Sequence, residues 1–268
     1  MTSASQPSRF EAVIAALAGS LAESSVPTVD DFGAFLSRFD LDPKDRAAIE
    51  ALGPKRFFLY RTLVRGNFRA AIRNEMGETA ALLGPRFDEE IAAFLDRGMP
   101  LSHYMLDAAF EFLEAVRARW AADPTLPPWT VDLARHELLA YEVSAARDPD
   151  PAPRFLPALA IDRALVFDTA ARLDTYAYPV HLLADDPQRT LEPKATWLLV
   201  YRDEAYDIRH LELTELAAAA TRAWLGGATL KEGLERAATE TSRALPLEDA
   251  AKFLADLAER KILLGAAV

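Results

Sequence analysis

The chain has 268 residues, of which 51% are hydrophobic and 26% charged, and it carries a formal net charge of −11. This composition is typical of a folded protein with enough material for one large domain or two smaller ones. The sequence contains no cysteine, which excludes disulfides, thiolate metal sites and a cysteine nucleophile. The acidic balance argues against non-specific nucleic-acid binding, because such binding requires a basic surface.

The sequence has no membrane-spanning pattern. No apolar run approaches the roughly 20 residues that a transmembrane helix requires. The apolar centre near the N-terminus contains Glu11, whereas a signal peptide has an uninterrupted apolar centre. We therefore expect a cytoplasmic protein.

Apolar residues at helical spacing predict an all-α domain over residues 1–147. Caps and breakers delimit its predicted helices: Phe10–Leu21, a helix capped by Thr28, Pro43–Leu52, an arginine-rich helix from Phe57, Phe87–Leu95, Tyr104–Trp120 and Val131–Ala146. His103, at the start of one of these helices, is interpreted as the neighbour of a helix cap.

The most distinctive stretch of this domain is the arginine-rich helix. No acidic residue occurs between Lys55 and Asn74, and arginine recurs at every fourth position: Arg61, Arg65, Arg69 and Arg73. Residues four apart lie close to one face of a helix, with a drift of about 40° per step. The resulting stripe has three interpretations, namely ion pairing with neighbouring helices, contact with an acidic peptide or subunit, and phosphate binding. The net charge disfavours the third.

A proline-rich segment separates this domain from a second one. Three alternating prolines within residues 148–153 predict a linker and connecting segment over residues 148–175. Residues 176–268 then predict a winged-helix-like domain, with a β-hairpin, three short helices and a closing strand. Its elements are strands Tyr178–Leu183, Thr196–Tyr201, Tyr206–Leu211 and Ile262–Leu264, and helices Glu215–Leu225, Leu230–Thr239 and Pro246–Arg260. The predicted fold class of the whole chain is α+β, mostly α.

The predicted hairpin indicates a way to bind peptides. A two-stranded edge beside short helices can accept a peptide as an added strand. The alternative is a wing that only closes its own small core. The candidate residues for binding a peptide or partner are Tyr60, Arg61, Arg65, Trp197, Leu199, Tyr201, Tyr206, Ile208 and His210.

The sequence contains no recognisable catalytic motif, since GxSxG, GxxxxGK[ST] and GxGxxG are all absent. His136, Glu137 and Glu142 resemble a metal-ligand cluster, but the zincin motif HExxH would require a histidine where Ala140 stands. A partly buried helix histidine with surface carboxylates is the simpler interpretation, and a hydrogen-bonded structural role is the default for the other histidines. We predict no catalytic residue, no metal site and no cofactor.

Several short motifs occur in an order that resembles the HvfC/BufC-type proteins. From about residue 56 onward they are Tyr60-Arg61, Leu82-Leu83-Gly84 before Phe87, Pro100-Leu101-Ser102, an aromatic helix, Leu-Pro-Pro-Trp, Asp132–Glu137, Tyr178–His181, a Leu-Val-Tyr-Arg strand and Gly226–Leu230. The first 50 or so residues depart from this pattern and look like an added helical element.

The resemblance implies a partner subunit of multinuclear non-haem iron-dependent oxidative enzymes (MNIO), which modify ribosomally synthesised peptides. In such pairs the iron lies in the other protein, a TIM-barrel enzyme. The partner is expected to be non-catalytic, to dock the enzyme in a heterodimer through its helical domain, and to bind the precursor's leader peptide through the second domain. The helical domain of this family has also carried a DNA-binding label, so a winged-helix transcriptional regulator is the alternative. A third possibility is an enzyme built around His136, Glu137 and Glu142.

Overall fold

The structure, a computed structural model, describes residues 9–23, 25–100, 102, 104 and 107–268. Its contacts divide the chain into two units, Met1–Ala122 and Asp123–Val268. Leu101 of the family-like Pro-Leu-Ser motif and the predicted cap neighbour His103 lie outside the described residues. Among the residues that are described, no helix is long and apolar enough to cross a membrane.

The described part of the first unit is helical. Its elements are α1 (Arg9–Leu21), α2 (Val29–Leu36), α3 (Pro43–Leu52), α4 (Pro54–Phe57), α5 (Leu59–Glu75), α6 (Gly77–Leu83), α7 (Pro85–Arg97) and α8 (Asp107–Ala122). Thr28 caps α2, as predicted, by accepting a hydrogen bond from the N–H of Asp31 at 3.2 Å. The arginine-rich stretch is divided differently from the prediction, because Phe57 ends the short α4 and α5 begins at Leu59.

Aromatic side chains form the core of the first unit. Phe32 and Phe35 of α2 pack against Phe57 and Phe58, with ring centroids between 5.2 and 6.2 Å apart. A second aromatic group packs α7 against α8: Phe87, Phe112 and Trp120. Such tilted and edge-on ring pairs add to the stabilisation that comes from burial alone.

The second unit combines helices with two small sheets. Its elements are α9 (Thr130–Ala145), β1 (Phe155–Leu156), β2 (Leu165–Phe167), β3 (Arg172–Tyr176), the 3-10 helix Val180–Leu183, β4 (Thr196–Arg202), β5 (Ile208–Leu213), α10 (Glu215–Leu225), α11 (Leu230–Thr241), α12 (Leu247–Glu259) and β6 (Leu263–Ala267). The strand orders are β1-β6-β2 and β3-β4-β5, and all pairs are antiparallel.

Helices cover both faces of the β3-β4-β5 sheet. Successive side chains of a strand point to opposite faces, so Leu198 and Val200 of β4 pack with α9 and the 3-10 helix, while Leu199 packs with the core around α10. Leu133 and Val143 of α9 are buried in the first of these cores. The structure therefore groups α9 with the second unit, which differs from the boundary predicted at residue 147.

Most predicted elements of the second unit are present. The β4–β5 hairpin is confirmed, with Val200 opposite His210, and the mostly α, α+β class is confirmed. The closing strand β6 exists but pairs with β1 and β2, which lie in the segment predicted as a linker. The strand predicted over Tyr178–Leu183 is wrong: after Pro179 the chain forms a 3-10 turn that buries Val180 and Leu183.

Helices α10 and α11 pack unusually closely. Gly233 of α11 faces Trp224 of α10, and a Cβ at residue 233 would lie 2.0 Å from the indole Nε1. Thr229 and Glu232 form the predicted capping box at the start of α11. These contacts fix the helices that support one face of the β3-β4-β5 sheet.

Candidate functional site

β5 forms one edge of its sheet, and its outer side is open. The N–H of Asp203 donates to the carbonyl of Asp207 at 2.9 Å. Because antiparallel backbone groups alternate in direction, every second residue onward from Asp207 bonds to β4, and the residues between them point their N–H and C=O groups outward. The outward residues are Ile208, His210 and Glu212. Within the described chain their outward backbone groups have no hydrogen-bond partner.

β3 forms the other edge, where polar side chains occupy the outward backbone groups of Thr175, whereas those of Leu173 have no hydrogen-bond partner in the described chain. Thr175 donates its N–H to Asp174 Oδ1 at 2.8 Å, and its carbonyl accepts a hydrogen bond from Arg135 at 3.3 Å. Arg135, from α9, also binds both carboxylate oxygens of Asp174, at 2.5 and 2.6 Å. Just beyond β3, the N–H of Ala177 donates to Asp132 Oδ2 at 2.7 Å. The outward backbone groups of Thr175 on β3 therefore have hydrogen-bond partners, whereas those of β5 have none in the described chain.

The side chains of β5 offer different chemistry on its two faces. Leu211 lies half-buried on the α10 face. His210 and Glu212 are exposed on the α9 face, where Glu212 accepts a hydrogen bond from Lys194 at 2.6 Å. At the hairpin turn Tyr206 is 69% exposed, and the Arg202 guanidinium lies 5.0 Å from the centre of its ring. An added strand would meet an apolar side chain on one face and polar ones on the other.

Three of the four histidines gather on the α9 face of β5. The ring centroid of His210 lies 5.8 Å from that of His136 on α9 and 5.7 Å from that of His181 in the 3-10 helix. The Nδ1 atoms of His136 and His181 are buried without a hydrogen-bond partner in the described structure. Burial lowers the pKa of His136 to about 4 and also lowers the pKa of His181, and proximity to His210 adds to both effects.

This histidine cluster does not have the geometry of a metal site. Across the described ranges, no group of three or more histidine, aspartate or glutamate side chains is placed to hold a metal ion. Glu142, which the sequence grouped with His136, accepts a hydrogen bond from Arg172 at 2.6 Å. The ring of His136 instead lies edge-on to Tyr176, with centroids 5.5 Å apart.

The predicted binding residues of the hairpin fall into two environments. Leu199 and Tyr201 are 0% and 5% exposed, so we assign them to the core that supports the sheet rather than to a binding surface. Trp197 is half-buried against the same core. The outward residues Ile208 and His210 lie on the open edge of β5. Sequence reasoning missed Glu212, because alternation identifies a strand but not which of its sides lacks a neighbour.

Two of the predicted binding arginines of the first unit make internal contacts. Arg61 is 9% exposed and donates its Nε–H to the carbonyl of Glu23 at 2.7 Å. Its burial lowers the pKa of the guanidinium, which nevertheless stays protonated. Arg65 forms an ion pair with Asp96. These two arginines of the stripe therefore fasten α5 to its surroundings, in line with the ion-pairing interpretation.

Beside these arginines lies an apolar surface with a cationic border. Leu59, Tyr60 and Leu63 of α5 are 54%, 48% and 57% exposed. Lys55 and Arg56, immediately before them, line a groove of about 590 Å³ between the starts of α2 and α4. Neither residue has an ion-pair partner within the described part of the chain. The combination is typical of a surface that another protein covers.

The helices after the hairpin give little support for DNA binding. Lys231 and Lys252 pair with acids of the same helix, Glu235 at 3.8 Å and Glu248 at 2.7 Å. Arg222 of α10 pairs with Glu240 of α11 at 2.9 Å. Each pair leaves little net positive charge for a phosphate.

Comparison with known families gives a match within the second unit. Residues 169–259 match the HvfC C-terminal domain, a segment that contains β3, the open edge of β5 and helices α10 to α12. This match confirms the resemblance that the ordered motifs predicted. A search of curated proteins found no match to the chain.

Proposed function

We propose that this chain, whose residues 169–259 form an HvfC-type C-terminal domain, is a non-catalytic partner of an iron-dependent peptide-modifying enzyme. It acts in the cytoplasm, binds the enzyme as a heterodimer, and receives the leader of a ribosomally synthesised precursor peptide. The observation that carries the proposal is the open outer edge of β5.

Peptide addition to this edge has a simple energetic basis. Ile208, His210 and Glu212 each offer one donor and one acceptor that currently face away from the sheet. An added strand satisfies these groups and its own at once, so that backbone bonds supply affinity and alternate side chains supply specificity. At the β3 edge Thr175 cannot play this role, because its N–H and C=O already have partners.

The enzyme is assigned to the first unit. Leu59, Tyr60 and Leu63 expose apolar area, and Lys55 and Arg56 add positive charge to a chain whose net charge is −11. An enzyme surface with apolar residues and an acidic rim would complement this combination. In this assignment Arg61 and Arg65 hold α5 in place rather than touch the enzyme.

The test begins with co-purification. The full chain is co-expressed with the iron enzyme encoded beside its gene, and the complex is titrated with the short precursor peptide encoded there. We expect an enzyme complex and a peptide that binds at micromolar concentration or below. The absence of any complex at micromolar concentration, with and without peptide, would refute the proposal.

A matched pair of proline variants then locates the peptide. H210P removes an outward N–H of β5, and T175P removes an outward N–H of β3. Proline is tolerated at sheet edges where its missing N–H is not part of the ladder. We expect H210P to abolish peptide binding and T175P to retain it, with enzyme binding intact in both. Loss of peptide binding in T175P alone would show that the peptide binds at the β3 edge.

The transcriptional regulator predicts a different result. Salt-dependent binding to upstream DNA would support it, and a flat titration at low salt would exclude it. No contact in the second unit favours this alternative.

A further inference from the structure

The histidine cluster of His136, His181 and His210 joins three separate elements at the binding edge. His136 comes from α9, His181 from the 3-10 helix and His210 from β5 itself. The ring of His210 lies between the other two, at 5.8 and 5.7 Å. His210 is exposed, whereas the Nδ1 atoms of the other two rings are buried. Any charge on one ring is therefore felt by the others and by β5.

Few groups around the cluster could balance added positive charge. From β5, Glu212 lies 3.7 Å from His181 Nε2 but is also held by Lys194 at 2.6 Å. Asp185 lies beyond the 3-10 helix and attracts a charged His181. Burial lowers the pKa of His136, and the only charged groups that also shift it are the other two histidines of the cluster.

The remaining neighbours of the cluster are already paired or neutral. β3 contributes Tyr176, whose pKa burial raises, and Asp174, which is bound to Arg135 of α9. The β4 side chains on this face, Leu198 and Val200, are apolar. Two protons on the cluster would therefore place like charges less than 6 Å apart with weak compensation.

We propose that the histidine cluster makes the β5 edge pH-sensitive. When the imidazoles are neutral they pack between α9, the 3-10 helix and β5 and hold the edge in its binding position. Acidification adds protons to the cluster, and like charges on neighbouring rings then drive β5 away from α9. The inference rests on the proposed function only for its consequence, which is that leader binding weakens in acid.

The experiment uses the full chain without peptide. Amide hydrogen exchange is followed by NMR at about pH 7.5 and about pH 5.5, which lie on either side of the ordinary histidine pKa, and is corrected for intrinsic rates. The probes are the β4-bonded amides of Arg209 and Leu211 in β5 and of Asp174 in β3. We expect acid to reduce protection in β5 about tenfold more than in β3. Equal loss in both strands, or no loss in either, would overturn the proposal.

Two variants sharpen the result. H210Q is a surface change that removes the central ring, so the pKa values of His136 and His181 should rise and the selective loss in β5 should become smaller, while the part that burial of His136 causes remains. Persistence of the full loss in H210Q would also overturn the proposal. R209Q, on the opposite face of β5, is the matched control and should behave as the wild type.

Peptide binding is measured separately at about pH 7.5, above the ordinary histidine pKa. Binding there without acid-selective exchange would reject the switch and retain the proposed function. Acid-selective exchange without peptide binding would retain the pH switch and reject the proposed function.

Discussion

The two edges of the β3-β4-β5 sheet differ although they share a central strand. At β3, Arg135 and Asp174 occupy the backbone groups of Thr175. At β5, the outward groups of His210 and Glu212 have no partner in the described chain. An unprotected edge favours pairing with other chains, which proteins usually prevent. Because β3 is protected at Thr175 and β5 is not protected along its outer side, we propose β5 as the edge that accepts a strand.

The largest expected change in the free energy of unfolding distinguishes the residues of β5 that bond to β4 from those that point outward. L211P removes a hydrogen bond to β4 and should lower the free energy of unfolding by about 3 kcal/mol. H210P removes an outward N–H and should cost about 1 kcal/mol or less. Urea denaturation followed by circular dichroism measures both. Equal destabilisation would show that the assignment of outward residues is wrong.

Acid should destabilise the β5 side of the sheet through His136. Its pKa is lowered from 6.5 to about 4 by burial, so the unfolded chain takes up the proton first as pH falls. The contribution to stability is complete above about pH 6.5, is lost as pH falls, and is exhausted near pH 4, with a total of about 3 kcal/mol.

The control for this prediction is H136Q, which lacks the titrating group. The difference in unfolding free energy between wild type and H136Q, measured by urea denaturation across this pH range, isolates the histidine from the carboxylates. A difference that stays constant with pH would contradict the prediction.

Removal of Arg135 from the β3 edge should leave that edge less protected and therefore more like the edge at β5. R135M leaves the carbonyl of Thr175 without its partner and Asp174 without its ion pair. Both charged side chains are partly exposed, at 37% and 26%, so solvent screening limits the loss of stability to about 1 kcal/mol. Sedimentation should also reveal self-association through the opened edge. R209M, at an exposed position of β5, is the control and should stay monodisperse.

The smallest effect on the free energy of unfolding is expected for Tyr60, on α5 of the first unit. Tyr60 is 48% exposed, so Y60A should change the unfolding free energy by less than about 0.5 kcal/mol. It should weaken the enzyme complex about tenfold, as loss of an interface aromatic does. Peptide binding by the free chain should be unchanged. Normal affinity of Y60A for the enzyme would remove this surface from the proposed interface.

The sequence predicted the elements of this sheet better than its arrangement. Alternating β-prone residues identified β4 and β5, and Thr229 with Glu232 identified the start of α11. The polar stretch Arg172–Tyr176 did not suggest a strand, since its stability comes from pairing with β4 and from contacts with α9. Without β3, the sequence could not show that β4 is central and β5 an edge.

The candidate site was only partly predictable for the same reason. Trp197 and Leu199 follow the pattern of a binding strand, but burial from both sides of the sheet depends on helices distant in sequence. The histidine cluster also joins residues from three separate elements, and no local pattern connects them. The HvfC-type motifs were recognisable because their order is preserved along the chain, independently of contacts.

The most direct test of the account is hydrogen exchange of the outward amides on peptide binding. The full chain is measured with and without the precursor peptide encoded beside its gene. The account predicts that Ile208, His210 and Glu212 become protected while Thr175 does not change. Saturating peptide that leaves the β5 amides exchanging freely, or that protects only the β3 edge, would contradict it.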